Sequence, residues 1–179
     1  DIIEKSKIEN IELKNKENLV SVIIGGSNNH YFFNKKITYD IINKIKFFKK
    51  KYNYDFLIIP SRRTNSKTIE LLEENLKDFA SIWNKKTKNP YLFALKSSKF
   101  FIVTADSTSM ISECCFTGKP VYIYDLPLKR KSKRILAFHK EFEGKKIIRK
   151  LNDKLEFWNY IPMDEAKRIA GIIKLRTLK

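Results

Sequence analysis

The stretch KFFIVTADSTSMISECCFTGKPVYIYD, Lys99–Asp125, decides the fold. Lys99–Asp106 is a short continuous run of apolar residues, which reads as a strand buried on both faces. Ser107–Phe116 follows at once as a helix whose start is crowded with hydroxyl side chains. Gly118 ends that helix, because the closing residue adopts a left-handed conformation that costs glycine little. Pro120 then leads into a second apolar strand, PVYIYD. Continuous apolar strands separated by helices belong to a parallel sheet covered on both faces.

The same alternation extends in both directions. LVSVIIGG, Leu19–Gly26, reads as a first strand ending in a glycine pair, and DFLIIP, Asp55–Pro60, as a second strand stopped by proline. Between them Ile37, Ile41, Ile45 and Phe48 recur at helical spacing over 37–52. Ser66–Phe79 is a helix with Ile69, Leu72, Leu76 and Phe79 on one face, and Ala80–Asn84 is a short third strand. Pro90 sits in the first turn of a helix running to Ser97, where its missing N–H costs nothing. Beyond Asp125 come a basic helix over 132–142, a weak strand over 146–149 and a C-terminal helix after Pro162. No internal repeat or low-complexity segment interrupts the pattern. The expected fold is α/β, a Rossmann-like doubly wound parallel sheet. Residues 1–18 read as a linker or N-terminal extension, 19–160 as the nucleotide-binding domain, and 161–179 as a helix packing on the same domain.

Ligands of such sheets bind beyond the carboxyl ends of the strands, at the point where strand order reverses. The loop after the first strand carries Gly25, Gly26, Ser27, Asn28, Asn29 and His30. Its glycines could let backbone N–H groups approach a phosphate, or form an ordinary tight turn. It lacks the GxGxxG pattern, so no nicotinamide cofactor is inferred. The loop after the second strand offers Arg62 and Arg63, suited to a diphosphate through bidentate contacts. The loop after Lys99–Asp106 brings Ser107, Thr108, Ser109 and Ser112 around a helix N-terminus, whose N–H groups and dipole favour an anion. Ser107 or Asp106 could instead cap that helix. Glu113, about a turn and a half into the helix, could accept hydrogen bonds from a ribose diol. His30 could reach a ligand or cap the next helix, and His139 reads as a surface residue of the basic helix.

Composition bounds the remaining choices. The chain has 179 residues, 42% of them hydrophobic, which is enough to bury a core. No apolar run approaches the roughly 20 residues needed to cross a bilayer, and neither a signal nor a transit peptide pattern is present. The chain begins without Met, which points to a piece of a longer protein. Cys114 and Cys115 are adjacent and poorly placed to bridge each other, which points to a reducing compartment, the cytoplasm. Two cysteines and two distant histidines form no metal motif, so no metal and no cofactor are expected. The net charge of +17 is spread over the whole chain, with many Ile and Asn, as coding bias would leave it. The one compact cluster is KRKSKR: Lys129, Arg130, Lys131, Lys133 and Arg134, with Ser132 among them, a candidate for peripheral contact with a membrane surface. Nucleic-acid binding rests on charge alone, without an aromatic and basic motif, and is not expected.

The blocks VSVIIGGSNNHYFF, SRRT, WNKKTKNPY and IVTADSTSMISECCFTGKPVYIY resemble, in order, the mitochondrial-fission family of "elongated mitochondria" proteins, which has bacterial members. The resemblance runs from about Leu19 to Tyr124 and implies a further domain ahead of Asp1. The same blocks are similar to the C-terminal domain of GT-B glycosyltransferases, especially the enzyme adding N-acetylglucosamine to the lipid-linked peptidoglycan precursor. That likeness implies a nucleotide-sugar site at Gly25, Gly26 and Ser27, at Ser112 and Glu113, and at Gly118 and Pro120. It gives the ribose to Glu113 and the phosphates to Ser27 and the hydroxyls after the fourth strand; Arg62 or Arg63 joins them by position alone. The usual catalytic base of GT-B enzymes comes from the N-terminal domain, so this chain would not supply it. Two functions follow: a nucleotide-sugar transferase with a lipid-linked or envelope acceptor, or a non-catalytic adaptor of the same shape at a membrane surface.

Overall fold

The computed structural model describes residues 18–162. Among the described residues six strands alternate with five helices. In order they are β1 (Leu19–Ile24), α1 (Lys35–Lys51), β2 (Asp55–Pro60), α2 (Ser66–Leu76), β3 (Ser81–Ile82) and α3 (Tyr91–Ser97). They continue with β4 (Phe100–Thr104), α4 (Thr108–Phe116), β5 (Val121–Tyr124), α5 (Lys133–Gly144) and β6 (Ile148–Lys150). The sheet order is β3-β2-β1-β4-β5-β6, and these neighbouring strands pair in parallel, with Val20 opposite Phe100 and Ile24 opposite Pro60. This is the doubly wound Rossmann-like arrangement, and strand order reverses between β1 and β4.

β1, β2 and β4 are buried along their whole length, which is why they read as unbroken apolar runs. Right-handed crossovers place α1 and α2 on one face and α3, α4 and α5 on the other. Ile41, Ile45 and Phe48 turn the apolar stripe of α1 into the core, where Leu72 and Leu76 of α2 join them. Ile111, Cys114 and Cys115 do the same for α4. Asn34 and Asn65 cap α1 and α2 by accepting from Ile37 and Thr68 N–H at 3.1 and 2.8 Å.

Several boundaries differ from the sequence reading, four of them for reasons the geometry shows. α2 stops at Leu76, because its carbonyl accepts from both Phe79 and Ala80 in a tight turn. β3 shrinks to two residues: Trp83 still donates to Ile58, but Lys85, at φ +70°, turns the chain away. Pro90 is the N-cap of α3, one residue ahead of its first turn. β6 starts at Ile148, because Lys146 takes the left-handed conformation, φ +56°, that closes α5.

After β6 the chain runs without regular structure back across the α1 face. Lys44 pairs with Asp153 at 2.5 Å, Leu155 N–H donates to the Tyr52 hydroxyl at 3.2 Å, and Trp158 packs edge-on against Tyr122. Tyr160 then donates its hydroxyl to the carbonyls of Lys119 and Cys115 at 2.7 and 3.0 Å. The expected extension over 1–18 and terminal helix over 161–179 lie, but for Asn18, Ile161 and Pro162, outside the described residues.

Candidate functional site

At the carboxyl ends of β1, β2 and β4 the loops are tied together by one buried side chain, Asp106. Its carboxylate accepts from the Thr104 hydroxyl at 2.6 Å and from Gly26 N–H at 3.2 Å, and pairs with Arg63 Nη2 at 2.5 Å. Gly25 N–H donates to Thr104 Oγ1 at 2.8 Å. A methyl group at Gly25 would overlap the Asp106 carboxylate, and one at Gly26 would overlap the Arg63 carbonyl. The glycine pair is therefore required by close approach of the protein to itself, and both N–H groups are already engaged. This corrects the expectation that they stand open to a phosphate. It also corrects the alternative that Asp106 caps α4: Ser107 does so, accepting from Met110 N–H at 3.5 Å.

The remaining parts are placed around this centre. Asn28 accepts from the N–H groups of His30 and Tyr31 at 2.8 and 2.9 Å and donates to the Asp106 carbonyl at 3.1 Å, which folds the β1 loop over β4. Ser27 is exposed, its hydroxyl donating to the Tyr31 carbonyl at 3.3 Å. Thr64 is buried and donates to the carbonyls of Ile24 and Gly25, which locks the β2 loop to β1. Of the two arginines, Arg62 is exposed and Arg63 is the one drawn to the centre. Thr108 and Ser112 are half-buried on α4 and Ser109 is exposed in its first turn.

Glu113 is exposed on α4 and accepts from the Tyr91 hydroxyl at 2.6 Å. Tyr91 opens α3, so this bond holds the Glu113 carboxylate toward the carboxyl edge of the sheet. Burial, with Cys114 and Glu113 nearby, pushes the Tyr91 hydroxyl well above the ordinary tyrosine range, so it stays a donor. Gly118 and Pro120 do not join the site. α4 runs antiparallel to the strands and delivers them to the opposite edge, where Gly118 at φ +72° makes the turn into β5. There Lys119 donates to the Leu95 and Lys96 carbonyls at the end of α3, and burial lowers its ammonium to about 8.

Two further readings change. His30 caps no helix: its carbonyl accepts from Lys129 and Arg130 N–H at 2.8 and 3.2 Å, and Phe32 N–H donates to Pro127. The β1 loop is thereby zipped to the loop after β5, and the KRKSKR cluster begins beside the candidate site. Next to it Phe32, Leu128 and Leu136 are exposed, with Lys129 Nζ 5.8 Å from the Phe32 ring centre. His139 is no free surface residue. Its Nε2 lies 3.1 Å from the Ala105 carbonyl, an acceptor only, so that nitrogen carries the proton. His139, Tyr31, Leu126 and Leu136 border a cavity of about 460 Å³ that the exposed Asp125–Lys150 pair also lines. A second cavity, about 340 Å³, opens between the starts of α1 and α2. None of the residues predicted to hold a donor lines either one. Among the described residues no group of three or more His, Cys, Asp or Glu could hold a metal. Likewise no described helix is long and apolar enough to cross a membrane.

The roles of Tyr91, Asn28, Thr64, Thr104 and His139 as ties between loops escape the sequence reading. The one available signal was Thr104 and Asp106 flanking Ala105 at a strand end, which places both side chains on the same side of the strand.

The family model described as mitochondrial fission ELM1 matches residues 3–177. The uncharacterized protein RP120 of Rickettsia prowazekii (strain Madrid E) is 36% identical over 164 residues, covering 86% of this chain and 45% of that protein. The mitochondrial fission protein ELM1 of Arabidopsis thaliana is 34% identical over 119 residues, 64% of this chain and 27% of that protein. The chain thus spans less than half the length of these relatives. Among solved structures, UDP-GlcNAc 2-epimerase from Neisseria meningitidis bound to UDP-GlcNAc aligns with a TM-score of 0.49 at 15% identity, over 92% of this chain and 38% of that one. The glycotransferase of kitacinnamycin aligns with a TM-score of 0.48 at 14% identity, over 84% and 35%.

Proposed function

The chain belongs to the mitochondrial fission ELM1 family, and from that premise we propose that it is the nucleotide-sugar-binding half of a GT-B-type, glycosyltransferase-like protein. The observation that supports this best is convergence at one sheet edge. Arg63 follows β2, while the start of α4, with Ser107 and Ser109, and Glu113 further along it follow β4 at the reversal of strand order; Tyr91, which holds Glu113, opens the helix after β3. In this reading Arg63 and the first turn of α4 face the diphosphate, and Glu113 accepts from the ribose. Ser27, Arg62, Thr108 and Ser112 flank them, while Gly25 and Gly26 shape the loop. A leaving diphosphate develops negative charge, which a guanidinium and helix N–H groups stabilise when held in place beforehand. The acceptor is lipid-linked or part of the envelope, the base comes from the other half of the protein, and no metal takes part.

The test is a thermal-shift screen against UDP-, GDP-, ADP- and CMP-sugars, repeated with Glu113→Ala. A ligand at a hundred times its Kd stabilises the fold by about 2.7 kcal/mol, a readily measured rise in Tm. The reading requires one nucleotide to give that rise in the parent and a much smaller one in the variant. A flat response to all of them sinks it.

A second reading, a non-catalytic adaptor on the cytoplasmic face of a membrane, is favoured by one observation. Lys129, Arg130, Lys131, Lys133 and Arg134 adjoin the exposed Phe32, Leu128 and Leu136, a basic surface with apolar residues to insert. It predicts co-sedimentation with phosphatidylglycerol vesicles, lost on Phe32→Ser with Leu128→Ser and lost again at high salt. Equal recovery with phosphatidylcholine vesicles, or none with either, counts against it.

A further inference from the structure

We infer that Asp106 is a positioning residue whose task is to hold Arg63 as the diphosphate contact of this site. The inference rests on the nucleotide reading above and deepens it. The Asp106 side chain is 0% exposed while that of Arg63 is 42% exposed, so a ligand can touch the guanidinium but not the carboxylate. The carboxylate cannot swing away. Thr104 and Gly26 hold it by hydrogen bonds, and Gly25 presents a side-chain-free surface against which it fits.

A guanidinium on an exposed loop ordinarily samples many rotamers, and ordering it costs a ligand affinity. Here the Asp106 pair removes that freedom beforehand, and the fork geometry leaves further N–H donors on the same rigid plane. Arg62, one residue away, is exposed, and it is Arg63 that pairs with this carboxylate, which separates the roles of the two arginines. The arrangement also explains the cost accepted at Gly25 and Gly26. Both close approaches serve to bring the β2 loop, which carries Arg63, onto the loop after β4, which carries Asp106.

The experiment is calorimetric titration of the full chain with UDP, GDP, ADP and CDP and with the matching nucleosides. The proteins are the parent, Arg63→Ala, Arg63→Lys, Asp106→Asn and the double variant Arg63→Ala with Asp106→Asn. Loss of a charge-assisted contact weakens diphosphate binding about 10- to 100-fold in Arg63→Ala. Asp106→Asn weakens it by a similar factor, Arg63→Lys does so because it lacks the fork, and the double variant is no worse than Arg63→Ala. Nucleoside affinity stays unchanged throughout, which a general loss of structure would not allow. Should Asp106→Asn not fold, NMR of the arginine side chains in the parent decides the point. The Arg63 N–H signals are protected from exchange before ligand is added and shift with the diphosphate but not with the nucleoside.

Diphosphate binding untouched by Arg63→Ala or Asp106→Asn overturns the inference and leaves the nucleotide reading standing. So does tighter binding in Asp106→Asn, which would mean that the carboxylate competes with the ligand for Arg63. A parent that binds no nucleotide at all overturns both.

Discussion

At Gly25 a single methyl group has no place to go, since it would enter the volume of the Asp106 carboxylate. Gly25→Ala therefore forces apart either the Arg63 pair or the strand ends, and is expected to destabilise the fold by about 1–3 kcal/mol. Gly144, the last residue of α5, is the control: a methyl group there meets nothing within 4 Å, and alanine suits a helix better by up to about 1 kcal/mol. Urea unfolding of both variants reads the contrast, and equal midpoints would contradict it. The two thiols make a second prediction at this scale. Burial holds Cys114 well above the ordinary thiol range and pushes Cys115 up to about 12, so neither is a thiolate at pH 8. A chromogenic disulfide reagent at pH 8 should label neither cysteine in the folded chain and both after unfolding in guanidinium. Rapid labelling of the native protein would contradict the burial.

Periodicity places helices and strands correctly where it is strongest. β2 occupies Asp55–Pro60 as expected, and α1 carries Ile37, Ile41, Ile45 and Phe48 inward. It fails where a local turn overrides propensity, as at the end of α2 and at Lys85, since the hydrogen bonds that turn the chain there carry no repeating pattern. Caps are the local chemistry that sets an element's start. Asn65 supplies the acceptor for Thr68 N–H at 2.8 Å, and Asn65→Ala leaves that donor to water, at a cost of about 1 kcal/mol by the same unfolding assay. A change below a few tenths of a kcal/mol would show that the β2 loop, held by Thr64, fixes the start of α2 without its cap.

The whole molecule carries a net charge of +17, and like charges spread over one small domain repel each other when folded. Raising salt from about 10 mM to about 150 mM shortens the Debye length from about 30 Å to about 8 Å. The melting temperature should therefore rise over that interval. A fall would mean that ion pairs such as Lys44–Asp153 outweigh the repulsion. The sequence by itself determined the parallel doubly wound sheet and the helix that follows its fourth strand. Each of those follows from residues a few positions apart, where hydrophobic period and turn chemistry act directly. Tertiary structure alone decided that Asp106 reaches Arg63 across 43 positions and that His30 meets Arg130 across 100. It also sent Gly118 and Pro120 to the far edge, away from the nucleotide-sugar site that the likeness to GT-B enzymes implied for them. Such pairings are set by sheet order and helix direction, which bring distant loops to one edge and carry a helix's two ends to opposite edges, and no local pattern in the chain records them.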